Sequence, residues 1–129
     1  MRQRLILGFI MTTACCSLVA CKKAPKQLLQ GKWVGTRAEN FDSRQAQAAN
    51  GWAQAMAFEF KGTSVKVSIP AETPRQGTFK IAKVSGQDLM VRFMRAHGAE
   101  DRVALQFDGE RKLRWQLPGG RSILLRKTD

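Results

Sequence analysis

Residues 103–117 read VALQFDGERKLRWQL. Apolar and polar side chains alternate on both sides of Asp108-Gly109, and an Asp-Gly pair between two alternating runs is a strong signal for a tight hairpin turn. Alternation of this kind puts every second side chain on the same face of a strand. The segment therefore predicts two antiparallel strands, each with one face in a hydrophobic core.

The same period of two recurs through most of the chain. Beyond a first strand at 31–37, the further alternating runs are 58–60, 65–69, 79–81, 89–93 and 123–125. Turn signals rich in glycine and proline separate these runs, and the short connections favour antiparallel neighbours. Eight short strands without βαβ spacing predict a mainly β fold, either a barrel or a sandwich.

One helix interrupts the strands. Residues 42–54 are rich in alanine and glutamine, which are good helix formers, although Gly51 weakens the middle. Asp42 and Gln45 have the spacing of a capping box. We therefore expect one short helix after the first strand.

The first 29 residues have the pattern of an export signal and a tether. Two arginines precede an uncharged apolar run over 5–20, which is typical of a secretory signal peptide and too short for a mature membrane span. We predict that residues 1–20 are removed, that 21–29 form a tether, and that 30–129 form one small domain.

The end of the apolar run, Leu18-Val19-Ala20-Cys21, resembles the lipobox of bacterial lipoproteins. The resemblance implies that a peptidase recognises Leu18, Val19 and Ala20, and that Cys21 is acylated and becomes the N-terminus. Two or three acyl chains give stable membrane anchoring. The alternative is ordinary secretory cleavage nearby, which leaves Cys21 as a free thiol.

The expected location is the cell envelope. Lys22 directly after the modified cysteine favours the outer membrane under the enteric sorting pattern, and the domain would then face the periplasm. The other two cysteines leave with the signal peptide, so no intramolecular disulfide is expected.

A second resemblance concerns the domain. Lys32-Trp33-Val34-Gly35 near the start of the domain is similar to the Gly-x-Trp entry of lipocalin-like domains, and a strand, a helix and a meander of hairpins fit small bacterial lipocalin-like lipoproteins. The resemblance implies an antiparallel eight-stranded meander barrel that acts as a binding or structural module. Such a barrel is filled by side chains or holds one small ligand; so short a domain favours a mostly filled interior.

Aromatic residues supply the candidate pocket. The residues that would line any apolar pocket are Trp33, Trp52, Phe58 and Trp115. Since aromatic side chains in alternating apolar runs usually pack in cores, core packing is the favoured interpretation and ligand contact the alternative.

Positive charge is the strongest compositional feature. The chain has 22 Lys and Arg against 10 Asp and Glu, a net charge of +12. The alternation places five basic residues from five strands on the polar face: Lys66, Lys80, Arg92, Arg114 and Arg126. Such a face attracts anions, so anionic lipid, lipopolysaccharide or an acidic envelope protein are candidate partners, whereas solubility alone is an equally weighted explanation. Export argues against nucleic acid.

Motifs for catalysis or metal binding are not evident. The single histidine, His97, stands beside a glycine in a turn, and no cofactor or metal is expected from one histidine and one retained cysteine. We therefore expect a binding module for an anionic envelope component or a small apolar ligand rather than an enzyme. The alternative is a protein-interaction module, such as an envelope-assembly accessory or an inhibitor of a secreted enzyme.

Overall fold

The structure, a computed structural model, describes residues 23–128, which form a closed barrel. Eight strands follow one another around it, and each pairs antiparallel with its neighbours. The elements are α1 (Pro25–Leu29), β1 (Gly31–Glu39), α2 (Ala46–Gln54), β2 (Ala57–Lys61), β3 (Ser64–Ser68), β4 (Arg75–Ser85), β5 (Asp88–Arg95), β6 (Glu100–Phe107), β7 (Lys112–Gln116), a 3₁₀ turn (Pro118–Gly120) and β8 (Ser122–Thr128). The predicted eight-stranded antiparallel barrel with a short helix after the first strand is confirmed. The proposed signal peptide and Cys21 lie outside the described residues.

Alternation within each strand builds the core. In β5, Leu89, Val91 and Phe93 are buried, while the residues between them are more exposed. Phe93 lies directly across from Phe79 of β4, so the apolar rows of neighbouring strands meet inside the barrel. Every strand contributes buried apolar side chains to this one core.

One end of the barrel is covered by α1, and we call it the closed end. It carries the hairpin turns between β2 and β3, β4 and β5, and β6 and β7. Leu29 of α1 is fully buried, and its carbonyl accepts a hydrogen bond of 2.8 Å from Nε1 of buried Trp33. The side chain of Gln30 accepts from the Gly62 N–H and donates to the Gly62 carbonyl. The packed structure thus begins at α1, within the segment predicted to be a tether.

The opposite end, which we call the open end, carries α2 on one side only. Ala38 N–H donates to Oδ1 of Asn50 in α2 at 2.7 Å, and Gly35 N–H donates to the Met56 carbonyl at 3.1 Å. A bulge between Gly35 and Arg37 shifts the register of β1 against β8. A Cβ atom on Gly35 would lie 1.9 Å from the Ala53 carbonyl oxygen, so only glycine permits this approach of α2.

The beginning of α2 differs from the prediction. The helix begins at Ala46 rather than at Asp42, and its N-cap residue, Gln45, makes no side-chain capping bond. Residues 42–45 instead form a turn in which Gln45 N–H donates to the Asp42 carbonyl at 2.8 Å. The capping box is therefore absent, and α2 is held by its contacts with β1.

Substitution of Gly35 tests that packing. We expect Gly35→Ala to lower the free energy of unfolding by about 2 kcal/mol, because the new methyl group forces α2 away from β1. Gly51→Ala within α2 is the matched control, since nothing lies within 4 Å of its Cβ position. The control should stabilise the protein by up to about 1 kcal/mol through helix propensity. Urea denaturation measures both, and equal effects would contradict the close approach.

Candidate functional site

A cavity of about 300 Å³ opens at the open end and is lined by residues of β2 to β7 and by Ile69. Its wall is mainly apolar, and charged residues stand around it. The apolar lining residues are Phe58, Val65, Val67, Ile69, Phe93, Met94, Val103 and Trp115. An apolar cleft with a few polar groups at its edge is the usual form of a small-molecule site.

Aromatic side chains form the floor and one wall. The Phe58 ring lies 5.7 Å from Phe93 and 5.4 Å from Trp115, measured between ring centroids. Below them, Phe60 contacts Phe79 at 4.9 Å and fills the closed half of the barrel. The rings of Phe60 and Phe79 therefore pack beneath the aromatic floor, and the cavity opens at the open end.

Two ion pairs stand at the rim. Arg95 donates from Nη2 and Nε to Oδ2 of Asp101, at 2.8 and 3.0 Å. Arg75 donates to Oε1 of Glu72 at 2.7 Å. All four side chains are 41–50% exposed, so these ion pairs contribute little to the free energy of unfolding. Water can replace either partner of each pair. Their charges are available to a polar group of a ligand seated below.

The four predicted pocket residues separate into two groups. Phe58 and Trp115 line the cavity, whereas Trp52 of α2 does not line it and lies 6.2 Å from Trp115, between ring centroids. Trp33 does not line it. The Trp33 side chain is fully buried towards the closed end, where its Nε1 donates a hydrogen bond to the Leu29 carbonyl. The Lys127 ammonium group lies 5.7 Å from the centroid of its ring. Its role is core packing, the interpretation that the sequence favoured.

Several site residues were not identified from the sequence. Arg95 continues the inward series of β5, and Arg75 shares the parity of inward-facing Phe79 on β4. Asp101 lies across from Phe93, which is also an inward position. The sequence signal for these rim residues is a charged side chain at an inward-facing position near the end of a strand. Such a side chain contacts water only at the mouth of a barrel.

The predicted basic face is divided between two parts of the barrel. Lys80 lies directly across from Arg92, and Lys66 is on the adjoining strand β3. Arg114 and Arg126 are on β7 and β8, away from that group. The five residues therefore do not form one continuous row.

Two of these five are also engaged by carboxylates. Arg92 Nη2 donates to Glu100 Oε1 at 2.5 Å, and this hydrogen bond raises the pKa of Arg92 and lowers the pKa of Glu100. Arg114 donates to Glu39 on β1 and, at 3.1 Å, to Asp108. The hydrogen bond with Arg114 holds the pKa of Glu39 below its ordinary value.

Within residues 23–128, no cluster of three or more His, Cys, Asp or Glu is placed to hold a metal ion. His97 is exposed in the turn between β5 and β6, as its sequence context predicted. None of the helices in the same part of the chain has the length and apolar character needed to span a membrane.

Comparison with known proteins found no relative of this chain. No family model matches the chain, no curated protein matches it, and no solved structure matches it. The function must therefore be argued from the chain's own geometry.

The Glu39–Arg114 pair supports a prediction about pH. Because the pKa of Glu39 is lowered in the folded state, its stabilisation is complete above the carboxyl group's unfolded pKa and is lost as pH falls through the folded value. We expect Glu39→Gln to reduce the free energy of unfolding by about 1 kcal/mol at neutral pH, and the difference to shrink below about pH 4.

Glu59→Gln is the control, because Glu59 is exposed on β2 and no salt bridge within residues 23–128 includes it. Its effect should stay within about 0.5 kcal/mol. Chemical denaturation across a pH series measures both variants. A difference for Glu39→Gln that persists unchanged at low pH would contradict the proposed ion pair.

Proposed function

We propose that this protein is a lipid-anchored envelope lipoprotein whose small lipocalin-like barrel binds a small apolar molecule in the open-end cavity. The observation that carries the proposal is the cavity itself, with a floor of Phe58, Phe93 and Trp115 beneath a charged rim. A volume of about 300 Å³ lies at the lower end of the range usual for ligand sites.

The chemistry of the cavity favours binding over group transfer. Its depth is apolar, so a ligand gains free energy mainly by leaving water, at about 25 cal/mol for each Å² of apolar surface buried. The charged groups at the rim are ion pairs between arginine and carboxylate. Such pairs suit the polar end of an amphipathic ligand better than they suit proton transfer, because each carboxylate is held by a guanidinium group.

Lipid attachment is the second part of the proposal and rests on Leu18-Val19-Ala20-Cys21. The described part of the chain begins close to α1 at the closed end. An anchor at Cys21 would hold that end near a membrane and leave the cavity at the far end. This arrangement supports binding from the periplasm at the outer membrane.

Filling the cavity should abolish ligand binding. Val67 lines the cavity, whereas Val84 is 50% exposed near the turn between β4 and β5. We expect wild-type protein to bind the apolar probe N-phenyl-1-naphthylamine with increased probe fluorescence, and Val67→Trp to weaken binding more than about tenfold because the indole occupies the site. The same substitution at Val84 is the control and should leave binding unchanged.

Circular dichroism and a thermal melt confirm that both variants fold. Absence of probe binding by the wild-type barrel, or an equal loss in the two variants, would contradict a ligand site in the cavity. That result would favour the alternative, a protein-interaction module.

Lipid attachment has its own test. Cys21→Ser removes the only sulfur that the motif allows to be acylated, so incorporation of labelled palmitate should stop. Cys16→Ser is the matched control, since Cys16 lies inside the apolar run. Continued labelling of Cys21→Ser would refute the assignment.

A further inference from the structure

Lysine and arginine are distributed unequally between the two ends of the barrel. Each salt bridge that joins two residues of 23–128 uses an arginine, and most of these bridges lie towards the open end. No lysine in that range takes part in one. Six of the ten arginines in that range are therefore compensated by a nearby carboxylate, whereas no lysine is.

Seven of the nine lysines in 23–128 lie at the closed end. We call them the closed-end lysines: Lys23, Lys26, Lys32, Lys61, Lys83, Lys112 and Lys127. They come from α1 and the residue pair before it, from the start of β1, from strand ends next to all three closed-end turns, and from the last strand. All except Lys127 are exposed. Strands that are far apart in sequence thus bring their ammonium groups to one end of the molecule.

Few carboxylates oppose these lysines. Asp88 and Glu110 lie in or next to two of the closed-end turns, and Glu59 lies directly across from Lys32. Asp108 is in the same turn as Glu110, but its carboxylate accepts two hydrogen bonds from Arg114. The closed end therefore carries a net positive charge, and such a surface attracts an anionic partner at long range.

An apolar side chain stands within the same region. Val84, next to Lys83, is 50% exposed and is the one large hydrophobic residue that is exposed within 23–128. An end of the barrel that carries both lysines and an exposed aliphatic side chain matches a bilayer surface, where ammonium groups meet lipid phosphates and the apolar group enters the boundary region.

Chain geometry selects a lipid bilayer over an acidic protein. Cys21 is four residues before Pro25, so α1 lies within roughly 14 Å of that sulfur-bearing residue whatever path the chain takes. The acylation proposed for Cys21 would hold the closed end close to a membrane. The bilayer would then be the surface nearest to the closed end. The inference rests on that proposal for its location only.

We propose that the closed end is a membrane-docking surface, in which the closed-end lysines and Val84 contact an anionic phospholipid bilayer and hold the cavity facing away from it. The attached lipid then supplies anchorage, and this surface supplies orientation. The five residues of the predicted basic face belong to the flanks and take little part.

Vesicle binding by unanchored protein tests the inference. All strand pairs and the buried core lie within 29–128, so a chain of residues 22–129 contains the whole barrel and lacks Cys21. Vesicles made of equal parts of phosphatidylglycerol and phosphatidylcholine are the probe, with pure phosphatidylcholine as the neutral comparison. We expect binding to the anionic vesicles only, and binding that weakens as salt is raised.

Two triple variants with the same loss of charge separate docking from general attraction. Lys61→Gln with Lys83→Gln and Lys112→Gln should weaken vesicle binding roughly a hundredfold, since each lysine at a membrane surface contributes about a factor of five. Arg44→Gln with Lys66→Gln and Lys80→Gln removes three charges outside the closed end that also take part in no salt bridge within 23–128, and should weaken it less than about tenfold. The side chains of the substituted lysines are exposed and take part in no hydrogen bond or salt bridge within residues 23–128, so the barrel should fold.

Orientation is measured with a single label. Residues 22–129 contain no cysteine, so Ser85→Cys at the closed end and Arg44→Cys towards the open end each give one site for an environment-sensitive fluorophore. Anionic vesicles should shift the emission of the label at 85 to the blue and leave the label at 44 unchanged.

The inference is overturned if the wild-type protein does not bind anionic vesicles, or if it binds neutral vesicles equally well. It is also overturned by equal losses in the two triple variants, or by equal shifts of the two labels. Because the protein in these experiments has no lipid and no cavity ligand, such failures are distinct from failure of acylation or of probe binding.

Discussion

Closure of the sheet between β1 and β8 is the constraint on which the other features depend. It leaves no unpaired sheet edge, so the barrel needs no covering segment along its side. The bulge at Gly35 and Arg37 lies in this seam, and Gly35 lets α2 approach β1 closely enough to cover part of the open end. The part of the open end that α2 does not cover is accessible to solvent, and the cavity lies there.

The two ends are built by different means. At the closed end, α1 is fixed by buried Leu29, by the hydrogen bond from Trp33 and by the paired contacts of Gln30 with Gly62. At the open end, ring contacts stop at Phe58 and Trp115, and charged side chains replace apolar ones. A small barrel thereby combines a dense core, which supplies stability, with a shallow recess that can receive a ligand.

Strand positions followed from the sequence because alternation is a local property, and the Gly-x-Trp resemblance pointed to closure. Local patterns also placed Phe58 and Trp115 on the inner face. They could not tell how far along the barrel axis a residue lies, and so Trp33 and Trp115 looked equivalent although they face different ends. The bond between Glu39 and Arg114 spans 75 residues and exists only because the sheet closes, which no local pattern records.

Both ends of the described chain, near Lys23 and Thr128, emerge on the same side of the barrel, opposite the recess. An attachment at either terminus, whether a natural lipid, a purification tag or a sensor surface, therefore leaves the mouth unobstructed. A barrel attached at its closed end would therefore receive a ligand from the side opposite the attachment.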